Sequence, residues 1–120
     1  IQEFSQIYSD SAVLALHSKL KAGDYESITG LEKERLFWFE RVRYQRFEDV
    51  FFQYRNGLMD EAPYAESMKF AADRKRLWEW VEIPMHNKEM NREVSRLLSS
   101  PEYTPSQLSI RFAAWRERSQ

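Results

Sequence analysis

The run from Thr29 to Gly57 constrains this chain most, because it reads as one long helix that is apolar on more than one side. Phe37, Trp38, Phe39, Tyr44, Phe47, Phe51, Phe52 and Tyr54 all fall within it. On a wheel of about 100° per residue, Leu36, Phe39, Phe47, Val50, Phe51, Tyr54 and Leu58 share an arc of roughly 120°. A second, weaker stripe of Leu31, Trp38, Val42 and Phe52 runs along another side. A surface helix needs only one apolar stripe, so the pattern predicts the central element of an all-helical domain, covered on two sides. Thr29 with Glu32 three residues on is a capping box that opens the helix, and Asn56-Gly57 supplies a left-handed cap that closes it. The expected fold is all-α, an irregular bundle of four to six helices around a long central helix at about 30–56.

The rest of the chain breaks into shorter helical patterns. Ile1, Phe4, Ile7 and Tyr8 have helical spacing. Asp10 is the expected cap of a helix over Ala12–Lys21 that stops at Gly23. Asp60 should cap a third helix with Pro63 in its first turn, where backbone donors lack intrahelical partners. Tyr64, Met68, Ala71, Trp78 and Val81 mark its apolar face, Asp73 leaves a break in its middle open, and Pro84 ends it near Glu82. Asn87 caps a fourth, Lys88–Leu98, with Met90, Val94, Leu97 and Leu98 inward. Thr104-Pro105 restarts a last one, because Pro suits the first helical position, with Leu108, Phe112 and Trp115 on its apolar side.

Composition narrows what such a chain can do. At 120 residues it reads as a single helical domain, 1–120, long enough to bury roughly two thirds of its unfolded surface. Charged residues make up 31% but balance to −1, so no global field favours nucleic acid or an anionic membrane surface. The absence of cysteine excludes disulfides, thiolate catalysis and cysteine zinc sites. No stretch approaches the eighteen or so apolar residues of a membrane span. Starting at Ile1 without methionine, the chain is expected to be a soluble fragment of a longer protein.

The inventory for chemistry is thin, and no catalytic residue, metal site or cofactor is expected. His17 and His86 are the only histidines. His86 with Glu89 has ligand spacing, but Asn87 as cap leaves His86 outside the helix, and two ligands fall short of a metal site. No glycine-rich phosphate loop or nucleophile elbow occurs. Arg43 stands out because it falls inside the main apolar arc, with Glu40 one turn earlier on the same side. A charge there costs several kcal/mol unless paired. Two readings follow: a structural one, with Arg43 largely buried against a carboxylate, Glu40 the nearest, or snorkelling its guanidinium to the rim, and a polar pocket in which Arg43 clamps a ligand carboxylate or phosphate. Arg41, Arg43, Arg46 and Arg55 interleave with aromatics, but acidic residues are interspersed, and the Arg74-Lys75-Arg76 run is diluted by Asp73 and Glu79. Both read as solvated faces rather than a nucleic-acid surface. Trp38 and Phe52, two heptads apart, form an interaction surface if no helix of the chain covers them; packing by the first or last helix is the alternative.

The block Arg43-Tyr44-Gln45-Arg46-Phe47-Glu48-Asp49-Val50-Phe51-Phe52-Gln53-Tyr54-Arg55-Asn56-Gly57-Leu58-Met59-Asp60 resembles the soluble part of a family of small bacterial single-pass membrane-anchored proteins of unknown function. Arg46, Phe47, Glu48, Gln53, Tyr54, Arg55, Gly57 and Asp60 match its signature, whereas Asp49 replaces Asn and Phe52 a common Tyr. Leu77-Trp78-Glu79-Trp80 is similar to its Trp-rich turn, while Asn87-Lys88-Glu89-Met90 replaces its usual Ser-Pro-Glu-Phe. The likeness spans about residues 1–98. It implies a transmembrane helix upstream, a cytoplasmic location on the bacterial inner membrane, and no known catalytic residues.

Two function classes follow. The first is a non-enzymatic protein-interaction or scaffold domain, tethered to the membrane and binding protein, a second copy included. The alternative is a small-ligand or regulatory domain with a polar pocket around Arg43. An exposed aromatic patch at Trp38 and Phe52 would favour the first, and a closed polar cavity at Arg43 the second.

Overall fold

The structure, a computed structural model, describes residues 10–119, the side chains of residues 10, 12 and 13 excepted. Among these residues lie five helices and no strand: α1 (Asp10–Ala22), α2 (Gly30–Arg55), α3 (Glu61–Trp80), α4 (Lys88–Leu98) and α5 (Gln107–Arg118). The expected helix over Ile1–Tyr8 lies outside the described residues. None of the five is long and apolar enough to cross a membrane.

Helix ends follow local chemistry. At the start of α2 the Thr29 hydroxyl accepts the Glu32 amide at 3.1 Å, and the Glu32 carboxylate accepts the Thr29 amide at 3.0 Å. Three helices end in the same pair of backbone bonds, reaching back over a residue in the left-handed region. That residue is Gly23 after α1 (φ 71°) and Gly57 after α2 (φ 73°), where no Cβ opposes the conformation. After α3 it is Glu82 (φ 63°), with the Ile83 amide donating to Trp78 O at 2.9 Å. The turn of Glu82 therefore ends α3 at Trp80, two residues before the point expected from Pro84. Ile83 is buried beside this cap, and its burial holds the unfavourable backbone in place. Glu82→Gly should accordingly raise stability by roughly 0.5–1 kcal/mol. A urea midpoint that does not rise would contradict that account.

α3 is the packing hub: α2, α4 and α5 all lie against it. It contributes Met68, Ala71 and Ala72, essentially without exposure, and Trp78 at 1%. α2 adds Leu36, Tyr44 and Phe51, α4 adds Met90, Val94 and Leu97, and α1 adds Leu16. Asp73 does not interrupt α3. Its carboxylate instead accepts the Ser106 amide at 2.9 Å, the Ser106 hydroxyl at 2.6 Å and the Tyr103 hydroxyl at 2.8 Å. An anion thus sits at the amino end of α5, where the helix dipole favours it. Ser106 is the cap, accepting the Ser109 amide at 3.1 Å. The Thr104-Pro105 start is thereby corrected by two residues, because a serine hydroxyl can take an amide that proline's ring cannot. α5 then packs Phe112 edge-on to Tyr25 (5.3 Å) and Trp80 (5.5 Å), and Trp115 donates to Glu26 at 2.8 Å.

Candidate functional site

The face that α2 turns inward has Glu40 at its middle. Leu36, Glu40, Tyr44 and Phe51 are its buried residues, and Phe47, Val50 and Tyr54 are partly buried beside them. Leu58, assigned to this arc from the wheel, lies beyond the helix end and is 73% exposed. Glu40 is the one buried charged residue among those described, at 2% exposure. Its partners arrive from α3. Arg74 Nε donates to Oε1 at 2.8 Å and Nη2 to Oε2 at 3.1 Å, a two-pronged clamp. Trp78 Nε1 adds a third bond to Oε1 at 3.0 Å. Arg43 lies at 3.6 Å from Oε2, with 41% of its side chain exposed.

The expectation of a largely buried Arg43 is therefore corrected. The pair with Glu40 is present, but the carboxylate is the buried member, and a long arginine stem reaches solvent from the edge of the arc. Arg74 and Trp78 were missed as partners. They sit four residues apart on α3, one turn on the same face, and an acid inside an apolar arc requires a cation from another helix. No buried side-chain nitrogen or oxygen among the described residues lacks a hydrogen-bond partner, so the cluster is internally satisfied and acts as a clamp between α2 and α3.

Arg43 and Arg46 also border an open groove of about 490 Å³ with Phe39, Val42, Phe47, Val50 and Ser67. A smaller cavity of about 100 Å³ lies between α3 and α5 near Tyr25, Asp73, Arg74 and Phe112, where Asp73 and Arg74 are already committed to Ser106 and Glu40. Neither is a closed polar chamber around Arg43. His86 is exposed just ahead of the Asn87 cap, and Glu89 pairs with Arg55 of α2. Among the described residues no cluster of three or more His, Asp or Glu is placed to hold a metal ion.

The outer stripe of α2 behaves differently from the inner face. Phe52 is 66% exposed and Leu31 58%. Trp38 and Val42 between them are half-buried, Trp38 with its ring edge-on to Phe37 at 5.2 Å. Leu31 and Phe52 are thus left exposed, and among the described residues the last helix, α5, docks on α3 and the α1–α2 loop instead. The block Arg43–Asp60 divides between these roles. Phe47 and Tyr54 pack inward, Gly57 makes the turn, Asp60 stands at the N-cap position of α3 without a side-chain cap bond, and Phe52 faces solvent.

Four buried or half-buried tyrosines complete the polar chemistry. Burial pushes the phenols of Tyr25, Tyr44 and Tyr103 up, and Tyr103 is raised further by its bond to Asp73. Tyr64, stacked on Tyr54 at 3.8 Å, is pushed up to about 12 by burial and then by the Glu93 charge. Groups whose folded values are raised stabilise fully below the unfolded value near 10 and lose that contribution as pH climbs through the folded value. Tyr64 alone is worth on the order of 2 kcal/mol in this way. Urea midpoints should therefore fall steeply between about pH 10 and 12; an unchanged midpoint across that range would show that these phenols ionise freely.

No family model matches the chain, and neither a curated protein nor a solved structure is significantly similar to it. The functional reading rests on the geometry and on the residues themselves.

Proposed function

We propose that this is a non-enzymatic protein-interaction or scaffold domain whose contact surface is the outer face of α2. The observation that carries the reading is the exposure of Leu31 and Phe52 on one stripe of the longest helix, with half-buried Trp38 and Val42 between them. Large apolar side chains spaced along one face are a feature of docking surfaces, and aromatic anchors contribute most to such contacts. The neighbouring groove offers an apolar floor with Arg43 and Arg46 at its border, which suits a protein segment better than a small molecule. Balanced charge argues against nucleic acid, since phosphate binding needs a basic surface. The resemblance of the Arg43–Asp60 block adds the proposal of a tether upstream, on the cytoplasmic face of a bacterial inner membrane.

The test is sedimentation of the protein at its natural length in extracts, wild type against Leu31→Asp/Phe52→Asp. Both positions are exposed, so the double variant should fold with stability near that of wild type. Wild type is expected to sediment in an assembly larger than its own mass, and the variant to leave it. A variant that stays in the assembly, or a wild type that sediments alone, would end the reading.

A further inference from the structure

The two sides of α5 meet different surroundings. Phe112 and Trp115 face α3 and the α1–α2 loop. On the opposite side Ile110, Ala113, Ala114 and Glu117 follow at helical spacing, an arc of roughly 100°. These four residues form one wall of an open groove of about 510 Å³, whose other wall carries Ala72 and Arg76 of α3 and Tyr103 of the α4–α5 loop. Ile110 is 46% exposed. α3 and α5 run side by side in the same direction, since Asp73 meets Ser106 at one end and Trp80 meets Phe112 and Trp115 at the other. That alignment sets Arg76 level with Ser109 and Ile110. Arg76 and Glu117 are both exposed, and among the described residues neither has an ion-pair partner. The Asp73 carboxylate, one turn before Arg76, is already taken by Ser106 and Tyr103.

We propose that this groove seats α5 of a second copy of the chain, docked antiparallel about a twofold axis between Ala113 and Ala114, a contact separate from the outer face of α2. The stripe is its own complement when reversed: positions 110 and 117 exchange across such an axis, as do 113 and 114. Ala113 and Ala114 then meet the second copy's Ala114 and Ala113. With no atom beyond Cβ at those positions, the helices approach at the short end of the usual separation of about 8–10 Å. The second copy's Glu117 arrives at the level of Ile110, beside Arg76. A twofold repeats every contact, so each copy's exposed cation gains the other's exposed carboxylate. Ile110 lies over Ala114 and the Glu117 stem of the second copy. A parallel pair would set Glu117 against Glu117, so the charges select the antiparallel direction. Arg111 and Arg118 lie roughly 80–100° around the helix from Ile110, clear of the contact, and Arg111 donates to Lys21 O at 3.0 Å. A contact confined to one short helix per copy falls below about 1,200 Å² in total, the range of weak and transient complexes, so micromolar association is expected.

Sedimentation of the purified wild type up to roughly 500 µM, well above the dissociation constant expected for a contact of this size, should show a monomer–dimer equilibrium. Glu117→Arg and Arg76→Glu should each weaken it by about tenfold or more, because each sets like charges together twice. The double variant Arg76→Glu/Glu117→Arg should restore it. Both positions are exposed, so all three variants should fold as the wild type does. The chain has no cysteine, so introduced thiols report the direction of the pair. Ile110→Cys mixed with Glu117→Cys should cross-link on oxidation, whereas Ile110→Cys alone should not. A wild type that stays monomeric throughout, or a dimer indifferent to the charge reversals, would overturn the proposal. So would a double variant that fails to recover the dimer, or rapid self-linking of Ile110→Cys, which marks a parallel pair. The α2 reading stands or falls separately, since its own test reads Leu31 and Phe52.

Discussion

Arg74→Ala is expected to destabilise the domain by about 3–5 kcal/mol, the cost of leaving a buried carboxylate without its principal cation. Glu40 is 2% exposed and receives both of its strong charge-assisted bonds from Arg74. Arg43→Ala, by contrast, removes a cation at 3.6 Å with 41% of its side chain exposed, and solvent-screened pairs of that kind contribute about 1 kcal/mol or less. The two substitutions remove the same side chain from the same carboxylate, so their difference isolates geometry from charge. Replacing both members together, Glu40→Leu/Arg74→Met, should recover most of the loss, because a buried ion pair is often matched by apolar groups of similar volume. Urea denaturation of the four proteins checks this. Equal losses for Arg43→Ala and Arg74→Ala would mean that the clamp is shared, contrary to the observed distances.

Trp78→Ala should cost about 4–5 kcal/mol, the upper part of the range for large core side chains. Trp78 is 1% exposed and packs edge-on to Tyr44 at 5.1 Å and against Phe47 at 5.7 Å. It also supplies the indole N–H that reaches Glu40. Against a total stability of roughly 5–15 kcal/mol for a domain, the variant should lose a third or more of it. Trp78→Phe separates the two contributions, retaining most of the ring and losing the donor at a cost of about 1–3 kcal/mol. If Phe and Ala were equally damaging, the hydrogen bond and not the packing would dominate.

Much of this architecture is readable along the chain. Thr29 and Glu32 mark the start of α2, Asn56-Gly57 its end and Asn87 the start of α4, because caps are made by residues within a few positions of each other. What escapes a linear reading depends on partners distant in sequence. Ser106 caps α5 while Asp73 of α3 holds it from thirty-three residues away. Glu40 sits at the middle of a buried face because Arg74 and Trp78 meet it there, and a wheel drawn from apolar residues alone leaves it out. The end of α3 is legible from Pro84 to within two residues, but its cause is not, because a glutamate occupies a left-handed position that glycine usually fills. Exposure is the least legible property, since the stripe of Leu31 and Phe52 would read the same whether or not a helix of the chain lay over it.

On the reading proposed above, α2 uses Glu40 to hold the fold and its outer face to meet another protein. Photo-crosslinking in cells tests it most directly, with p-benzoylphenylalanine placed at residue 52 and, separately, at residue 43 of the protein at its natural length. The account predicts a strong protein adduct from position 52 and a weaker one from position 43. An adduct from position 43 alone, or none from position 52, would contradict it.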